Sequence, residues 1–226
     1  MLIIKMKNLT LVIPAKKEEA SLPSVLKEVK DFNCEIILIV EEQDKLTIEA
    51  VKDFDCKIIF QNGRGYGNAI IEGINNVETE YLCIFNADGS FDPKYLNQML
   101  NLCEKQDYVF ASRYLKEGKS DDDTLVTKVG NFIFTAIGNI FFSLKLSDIL
   151  FTFILGKTKS FQSLNLDSDD FCLCVEIPIK AKRMGALYSD TPSHERKRIG
   201  GSKKVNEFKD GLKILFGMAK FFLKIK

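Results

Sequence analysis

Residues 81–93 read YLCIFNADGSFDP, and this stretch decides the fold of the chain. Its first five residues form an apolar run that is typical of a buried strand in a parallel sheet. The run stops abruptly at residues 86–90, a cluster of polar and turn residues. Since ligands of parallel sheets bind beyond the carboxyl ends of the strands, this break predicts a binding edge.

Asn86 and Asp88 lie two residues apart on that break, next to the flexible Gly89. Oxygen side chains at this spacing can converge on a hard divalent cation, which would in turn hold a diphosphate. The same residue types also dominate ordinary turns. The sequence alone therefore leaves a cation site and a simple turn as alternatives.

The composition sets broad limits on the class of protein. The 226 residues suit one α/β domain with a full core, and 46% hydrophobic with 28% charged residues excludes a disordered or fibrous chain. A net charge of +1 argues against nucleic acid as a partner. The six cysteines are scattered without a CxxC pair, which predicts reduced thiols in a cytosolic protein. Lys5 and Lys7 interrupt the first apolar run too early for a signal peptide.

Apolar runs alternate with helical patterns along the first half of the chain. We predict strands at residues 9–13, 35–40, 57–60, 81–85 and 108–114, and helices beginning near residues 21, 46, 68 and 93. This alternation implies βαβ units and a mostly parallel sheet flanked by helices. The strand ends would then bring residues 14–15, 41–42, 63–65 and 86–88 to one edge.

The second half is harder to interpret from sequence. Residues 131–155 are the most apolar part, but Lys145 and Asp148 leave no clean run for a membrane-spanning helix. A core helix and a helix half-sunk in a membrane interface stay open. Residues 171–184 predict an amphipathic helix that starts after Pro178 or is kinked there. We interpret the three aspartates at 121–123 as a solvated turn.

The charge is lopsided from Arg196 onward, with ten basic and two acidic residues. Apolar residues recur there at helical spacing with lysines between them, so the last helix either caps the core or lies on an anionic bilayer. We therefore divide the chain into a catalytic domain, residues 1–204, and a basic amphipathic C-terminal helix, residues 205–226.

Several blocks together resemble family 2 glycosyltransferases of the GT-A fold, in the branch of dolichyl- and polyprenyl-phosphate sugar synthases. The blocks occur in the family's order and cover nearly all of the chain: residues 12–15 with Glu18 and Glu19, residues 63–69, 86–89, 112–114 and 196–203. Each block is weakly specific, whereas the ordered set is strongly so. The resemblance implies an α/β GT-A fold.

The resemblance also implies a nucleotide-sugar pocket at the strand ends. Its residues would be Pro14, Ala15, Glu18, Glu41, Arg64, Gly65, Asn86 and Asp88. Asn86 and Asp88 occupy the family's Asp-x-Asp metal motif, which implies a divalent cation, Mg²⁺ or Mn²⁺. The neutral Asn86 removes one negative charge, so cation affinity should fall and Asp88 should carry the metal. Glu41 and Glu42 stand where the family has an acidic pair that contacts the base, and Gln43 and Asp44 replace the Gly-Ser that usually follows it.

The same resemblance assigns residues to the acceptor. Phosphate-binding positions fall on Arg113, Arg196, Arg198, Ser202 and Lys203. Asp148 matches the position of a general base for a hydroxyl acceptor, so the implied catalytic residues are Asp88, Asp148 and Arg113. The family's usual Ser-Gly-Phe after that aspartate is replaced here by residues 151–153, Phe-Thr-Phe.

The expected function is inverting transfer of a sugar from a nucleotide-diphosphate sugar to a lipid phosphate, polyprenyl or dolichyl, or to a glycan. The expected location is cytoplasmic, with peripheral attachment to the inner face of the membrane, and a homo-oligomer stays open. Two alternatives remain. One is a sugar nucleotidyltransferase, and the other is a degenerate homologue that binds nucleotide or membrane without turnover, which Asn86 motivates.

Overall fold

The computed structural model of the chain describes residues 6–200 and 207–223. The strands in chain order are β1 (Leu9–Ala15), β2 (Glu35–Val40), β3 (Lys57–Phe60), β4 (Tyr81–Ile84), β5 (Tyr108–Ser112), β6 (Lys119–Ser120), β7 (Ile154–Lys157), β8 (Tyr188–Pro192) and β9 (His194–Glu195). The helices are α1 (Leu22–Val29), α2 (Lys45–Ala50), α3 (Tyr66–Asn75), α4 (Leu96–Leu102), α5 (Leu125–Phe142), α6 (Thr158–Ser163), α7 (Leu173–Arg183) and α8 (Glu207–Leu223). Short 3-10 turns occupy Lys30–Phe32 and Pro93–Tyr95.

Seven strands form the central sheet, in the order β3-β2-β1-β4-β7-β5-β8. β1 pairs in parallel with both β2 and β4, so Val12 lies between Ile37 and Ile84. β7 runs antiparallel between β4 and β5. The remaining strands, β6 and β9, form a separate parallel pair. The predicted α/β fold with a mostly parallel, helix-flanked sheet is confirmed.

The core lies on both faces of this sheet because β1 alternates its buried side chains between them. Leu11 and Ile13 pack on one face with α1 and α4. Val12 packs on the other face with α3 and α7. Burial on both faces explains why the central strands read as continuous apolar runs.

The segment 131–155 is not a single helix. α5 begins at Leu125 and ends at Phe142, where Ser143 adopts a left-handed conformation with φ of 56°. The Asn139 side chain then donates to the Leu146 carbonyl and accepts from the Leu146 N–H, which turns the chain. The last residues of the segment enter the sheet as β7, because an apolar run of this length fits a buried strand as well as a helix.

α5 also corrects the expectation about apolar length. It is 18 residues long with a mean hydropathy of 1.4 and is 11% buried, so by length and composition it is able to cross a membrane. The sequence interpretation missed it because the run starts at Leu125, before the segment considered.

In α7 the helix begins at Leu173 and continues through Pro178, so a start after Pro178 is wrong.

The glycine-rich turn before α3 is covered by the chain itself. A β-carbon at Gly65, where φ is +99°, would lie 2.2 Å from the Asp169 carbonyl oxygen, and one at Gly67 would lie 2.0 Å from the Ser168 oxygen. The buried Glu176 carboxylate fixes this covering loop by accepting from the N–H groups of Asp167 and Ser168, both at 2.9 Å. These glycines therefore permit close approach of the protein's own backbone.

We predict that Gly67→Ala destabilises the fold by about 3 kcal/mol, because the new methyl group cannot coexist with the 168–170 backbone. Urea unfolding followed by circular dichroism measures this. Gly130→Ala, in α5, is the matched control, since its β-carbon meets nothing within 4 Å and should stabilise the helix by about 0.5–1 kcal/mol. Equal midpoints for the two variants would contradict the packing described here.

Candidate active site at the strand ends

The carboxyl ends of β1, β2 and β4 form one end of a cavity of about 600 Å³. Six of the predicted nucleotide-sugar residues line it together with Gly65 on the glycine-rich turn: Pro14, Ala15, Glu18, Glu41, Asn86 and Asp88. The exposed Arg64 does not line the cavity. The strand-end geometry therefore assembles the predicted edge with one exception.

Asp88 and Asn86 are held in place by Ser90. The Oδ1 atom of Asp88 accepts from the Ser90 N–H at 2.9 Å and from the Ser90 hydroxyl at 2.6 Å. The Asn86 amide N–H donates to the same hydroxyl at 3.5 Å. The other oxygen of Asp88, Oδ2, lies 3.9 Å from Nη1 of Arg198. Ser90 thus binds one carboxylate oxygen of Asp88, and the other oxygen faces the guanidinium of Arg198.

These residues fit a divalent cation only if it is shared with substrate. Among residues 6–200 and 207–223, no group of three or more His, Cys, Asp or Glu side chains is arranged to hold a metal ion. Mg²⁺ commonly binds through one or two carboxylates and completes its shell with substrate phosphates and water. Asp88, with the neutral Asn86 beside it, suits that shared mode.

Tyr66 connects the glycine-rich turn to the metal motif. Its hydroxyl donates to Asn86 Oδ1 at 3.3 Å and shares a 2.8 Å hydrogen bond with Thr152, and its ring stacks on Phe171 at 4.9 Å. Burial raises the pKa of Tyr66, so the hydroxyl stays protonated. Sequence reasoning missed this residue as a separate contributor, although it lies inside the glycine-rich motif.

The β1 and β2 ends carry the charged rim. Glu41 forms a 2.5 Å ion pair with Lys16, and Gln61 lines the same region. Sequence analysis named neither Lys16 nor Gln61. Asp44, which replaces a small residue of the family pattern, accepts from the backbone N–H of Lys17 at 2.6 Å and caps α2. The departure at this position therefore has a structural role.

Arg113 and Asp148 are paired with each other, which contradicts the predicted role of Asp148 as a general base. Asp148 accepts from Nε of Arg113 at 2.7 Å and from Nη2 at 3.0 Å, and its side chain is 0% exposed. Nη1 of Arg113 lies 3.2 Å from Glu195 and 3.5 Å from Asp123. Asp148 does not line the cavity, so it is not placed as a general base. Arg113 does line the cavity, and its phosphate-binding role stays a prediction.

The charges of this cluster depend on one another. Burial alone would lower the pKa of Arg113, but the contact with Asp148 outweighs burial and raises it well above its usual value. Burial raises the pKa of Glu195, and Arg113 partly offsets that shift. The cluster is therefore a buried network in which each ion stabilises the charge of another.

The remaining predicted phosphate ligands separate into three groups. Arg198 lines the cavity and donates to Asp122 at 2.6 Å. Arg196 points elsewhere, to Glu28 at 2.7 and 2.8 Å, so it is not a phosphate ligand in this arrangement. Ser202 and Lys203 lie outside the described residues.

Of the aspartates at 121–123, Asp121 is exposed as predicted for a solvated turn, whereas Asp122 and Asp123 are half-buried. Asp122 binds Arg198, and Asp123 accepts from the Tyr114 hydroxyl and contacts Arg113. The sequence showed only their charge, whereas the partners come from distant segments.

Another part of the cavity wall is largely apolar. It comes from α5 and α8 and includes Val126, Val129, Ile133, Phe134, Phe208 and Ile214, with the polar residues Thr127, Asn131, Glu207 and Asp210 among them. One cavity thus joins a polar, charged end to a largely apolar end.

We predict that Asp148→Asn lowers the free energy of unfolding by about 3 kcal/mol, because Arg113 loses its bidentate partner inside the protein. Denaturant titration at neutral pH measures the loss. Asp121→Asn is the control, since that aspartate pairs with Lys119 and His194 at the surface and its loss should leave the unfolding midpoint in place. A midpoint for Asp148→Asn equal to that of the control would contradict a structural role.

Two curated relatives from archaea align with the chain. A low-salt glycan biosynthesis hexosyltransferase of Haloferax volcanii is 25% identical over 150 residues, covering 62% of this chain and 36% of the relative, so the chain spans about a third of that protein. An uncharacterised protein of Methanocaldococcus jannaschii is 26% identical over 199 residues, covering 84% of this chain and 82% of the relative.

Solved structures share the fold. Glucosyl-3-phosphoglycerate synthase from Mycobacterium tuberculosis, crystallised with Mn²⁺, UDP and glucosyl-3-phosphoglycerate, superposes with a TM-score of 0.75 at 12% identity, over 94% of this chain and 79% of that chain. Mannosyl-3-phosphoglycerate synthase from Rubrobacter xylanophilus superposes with a TM-score of 0.72 at 14% identity, over 99% and 76% of the two chains. Residues 10–165, more than half of the chain, match the family described as Glycosyl transferase family 2, and the protein therefore belongs to that family.

Proposed function

We propose that the protein is an inverting glycosyltransferase that moves a sugar from a nucleotide-diphosphate sugar to the phosphate of a polyprenyl or dolichyl phosphate. The observation that carries this proposal is the single cavity that joins Asp88 and Arg198 to the apolar wall of α5 and α8. An acceptor with an anionic head and a hydrocarbon chain matches both ends of such a cavity.

The donor end is supported by the strand-end residues and by the structural neighbours. The mycobacterial synthase was crystallised with Mn²⁺, UDP-glucose and phosphoglyceric acid, which supports a nucleotide-sugar donor for the shared fold. In this chain Glu41, Lys16 and Gln61 would contact the nucleoside, and the diphosphate would approach Asp88.

The proposed mechanism is a single displacement. The acceptor phosphate oxygen forms a bond to the anomeric carbon while the bond from that carbon to the diphosphate breaks, and the diphosphate leaves with the electron pair. Asp88 would hold the divalent cation, Mg²⁺ or Mn²⁺, whose charge offsets that of the leaving diphosphate. Ser90 fixes the Asp88 carboxylate, and Tyr66 fixes Asn86 beside it.

Arg198 would position the acceptor phosphate. Its hydrogen bond to Asp122 raises the pKa of Arg198, so the guanidinium is charged at every working pH. It lies beside Asp88 and lines the cavity, where it can offset repulsion between two phosphate groups.

A phosphate acceptor also agrees with the state of Asp148. A lipid phosphate is already anionic and needs no strong base, whereas a glycan hydroxyl must lose a proton. Since both oxygens of Asp148 are bonded to Arg113, the geometry favours the lipid phosphate over the glycan. We further propose that the enzyme works as a peripheral protein at the cytoplasmic face of a membrane.

Asp88→Ala should lower the rate of transfer roughly 100-fold or more, since the leaving diphosphate loses its cation ligand. Release of nucleoside diphosphate from UDP- and GDP-sugars, with Mg²⁺ or Mn²⁺ and polyprenyl phosphate, measures this. Asp53→Ala, at an exposed position outside the cavity, is the control and should keep full activity.

Full activity in Asp88→Ala would contradict the assigned role. Donor binding by the wild type without any product over hours, seen by calorimetry and product analysis, would instead identify the degenerate, non-catalytic homologue.

Val129→Asp should raise the KM for polyprenyl phosphate roughly tenfold while leaving donor affinity unchanged, because it places a charge in the apolar wall. Leu102→Asp, an exposed position on α4 outside the cavity, is the control. An unchanged KM for the lipid acceptor in Val129→Asp would argue against an apolar chain in this part of the cavity.

A further inference from the structure

α5 buries polar residues most completely and leaves much of its apolar surface exposed, although Phe134, Ile137 and Phe142 pack half-buried against the core. Its buried residues are Asn131, Thr135 and Gly138. Asn131 donates to the Tyr114 hydroxyl at 2.8 Å, and Thr135 accepts from the Ile149 N–H at 3.4 Å. A surface helix of a globular protein normally buries its apolar stripe and exposes its polar one.

The outward side of α5 is apolar instead. Its exposed large hydrophobic residues are Leu125, Val126, Val129, Phe132, Ile133, Ile140 and Phe141, with Phe132 74% and Ile140 73% exposed. Lys128 is the charged residue of this helix. Exposure of this side of α5 to water is therefore unfavourable, and a patch of this kind is typical of an interaction surface.

α8 continues the same surface. It packs against α5 through Phe222, whose ring meets those of Phe141 at 5.5 Å and Phe142 at 6.1 Å. Its own exposed large hydrophobic residues are Phe208, Leu212, Leu215, Phe216, Phe222 and Leu223. We call these residues of α5 and α8 the two-helix face. It holds thirteen of the nineteen exposed large hydrophobic residues in the described part of the chain.

Basic residues border this face. Lys209, Lys213 and Lys220 follow one another at intervals of four and seven residues, which places them in one row along α8. Lys213 lies 3.5 Å from Asp170. The sequence from Arg196 onward has ten basic and two acidic residues in a chain of net charge +1, so the rest of the chain is net acidic. In the described part of α8, three lysines therefore border the apolar surface, with Glu207 and Asp210 as the acidic residues of the same helix.

We propose that the two-helix face docks on the surface of a lipid bilayer that contains anionic lipids, with α5 and α8 lying in the plane of the interface. Helices with an apolar side and a lysine border bind such interfaces through buried apolar area and attraction to anionic headgroups. Clustered lysines favour this occupant over a second copy of the chain, because two copies would bring like charges together.

α5 lies along the bilayer and does not cross it, although its length and composition allow a crossing. Crossing would require the buried polar stripe to leave Tyr114 and Ile149 and face hydrocarbon. Both ends of the helix are also bound to the domain, through Asp123 before it and Asn139 near its end.

The docked orientation also suggests how a lipid acceptor reaches the cavity, and this part of the proposal rests on the proposed function. Val126, Val129, Ile133 and Phe208 belong both to the two-helix face and to the cavity wall. A bilayer on this face would lie at the apolar end of the cavity, so a lipid acceptor would pass from the membrane to Arg198 without entering water.

The test is flotation of the full chain with vesicles of phosphatidylcholine alone or mixed with phosphatidylglycerol, without donor or acceptor. We expect the wild type to float with the mixed vesicles, and less of it to float with phosphatidylcholine alone or in high salt. The triple variant Phe132→Ser/Ile140→Ser/Phe216→Ser lies outside the cavity wall and should bind at least tenfold more weakly.

The matched control is Leu46→Ser/Phe60→Ser/Leu187→Ser, which removes exposed hydrophobic residues from other elements and should float like the wild type. Circular dichroism melting checks that each variant is folded. A wild type that stays with the unbound protein at low salt, or a folded triple variant that floats equally well, overturns the proposal. Sedimentation that shows a wild-type dimer, dissociated by the triple variant and indifferent to vesicles, assigns the face to a second copy.

Flotation and transfer are independent readouts. Vesicle binding without sugar transfer would contradict the proposed reaction and support the docking surface. Transfer to lipid phosphate in detergent without vesicle binding would do the reverse.

Discussion

A single buried guanidinium, that of Arg113, holds one side of the cavity together. It binds Asp148 through two nitrogens and contacts Asp123 and Glu195 through the third. These carboxylates come from three separate segments, so the position of each depends on the others. Breaking such a network leaves an uncompensated charge inside the protein, which is why the network is stable only as a whole.

The position of Arg198 depends on this network. Asp122 precedes Asp123 in the loop that Arg113 holds. Its carboxylate accepts a hydrogen bond from Arg198 at 2.6 Å. The Ile199 N–H donates to the Asp88 carbonyl at 2.8 Å, so the same segment is fastened to the break after β4. The cation of Arg198 and the carboxylate of Asp88 are therefore placed together by the charged network along the cavity wall and by the backbone contact of Ile199.

The side of the cavity at the glycine-rich turn is organised by a second buried charge. Glu176, 0% exposed, is paired with Lys180 at 2.5 Å and holds the loop that lies on Gly65 and Gly67. Phe171, just after that loop, stacks on Tyr66, and Tyr66 donates to Asn86. The glycine-rich turn and the metal motif thus receive their geometry from residues about a hundred positions later in the chain.

Local sequence determined five of the seven strands of the central sheet, β1 to β5, and the edge formed by their carboxyl ends. The apolar runs at 35–40 and 57–60 became strands with those bounds, and Asn86 and Asp88 lie at the cavity as the break after residue 85 predicts. Periodicity and turn chemistry are properties of neighbouring residues, so a single sequence carries them. Tertiary structure alone decided that Asp148 pairs with Arg113, that Arg196 turns away to Glu28, and that α5 exposes its apolar side. These outcomes depend on which residues distant in sequence come into contact when the sheet is assembled. The spacing of residues along the chain does not specify those contacts.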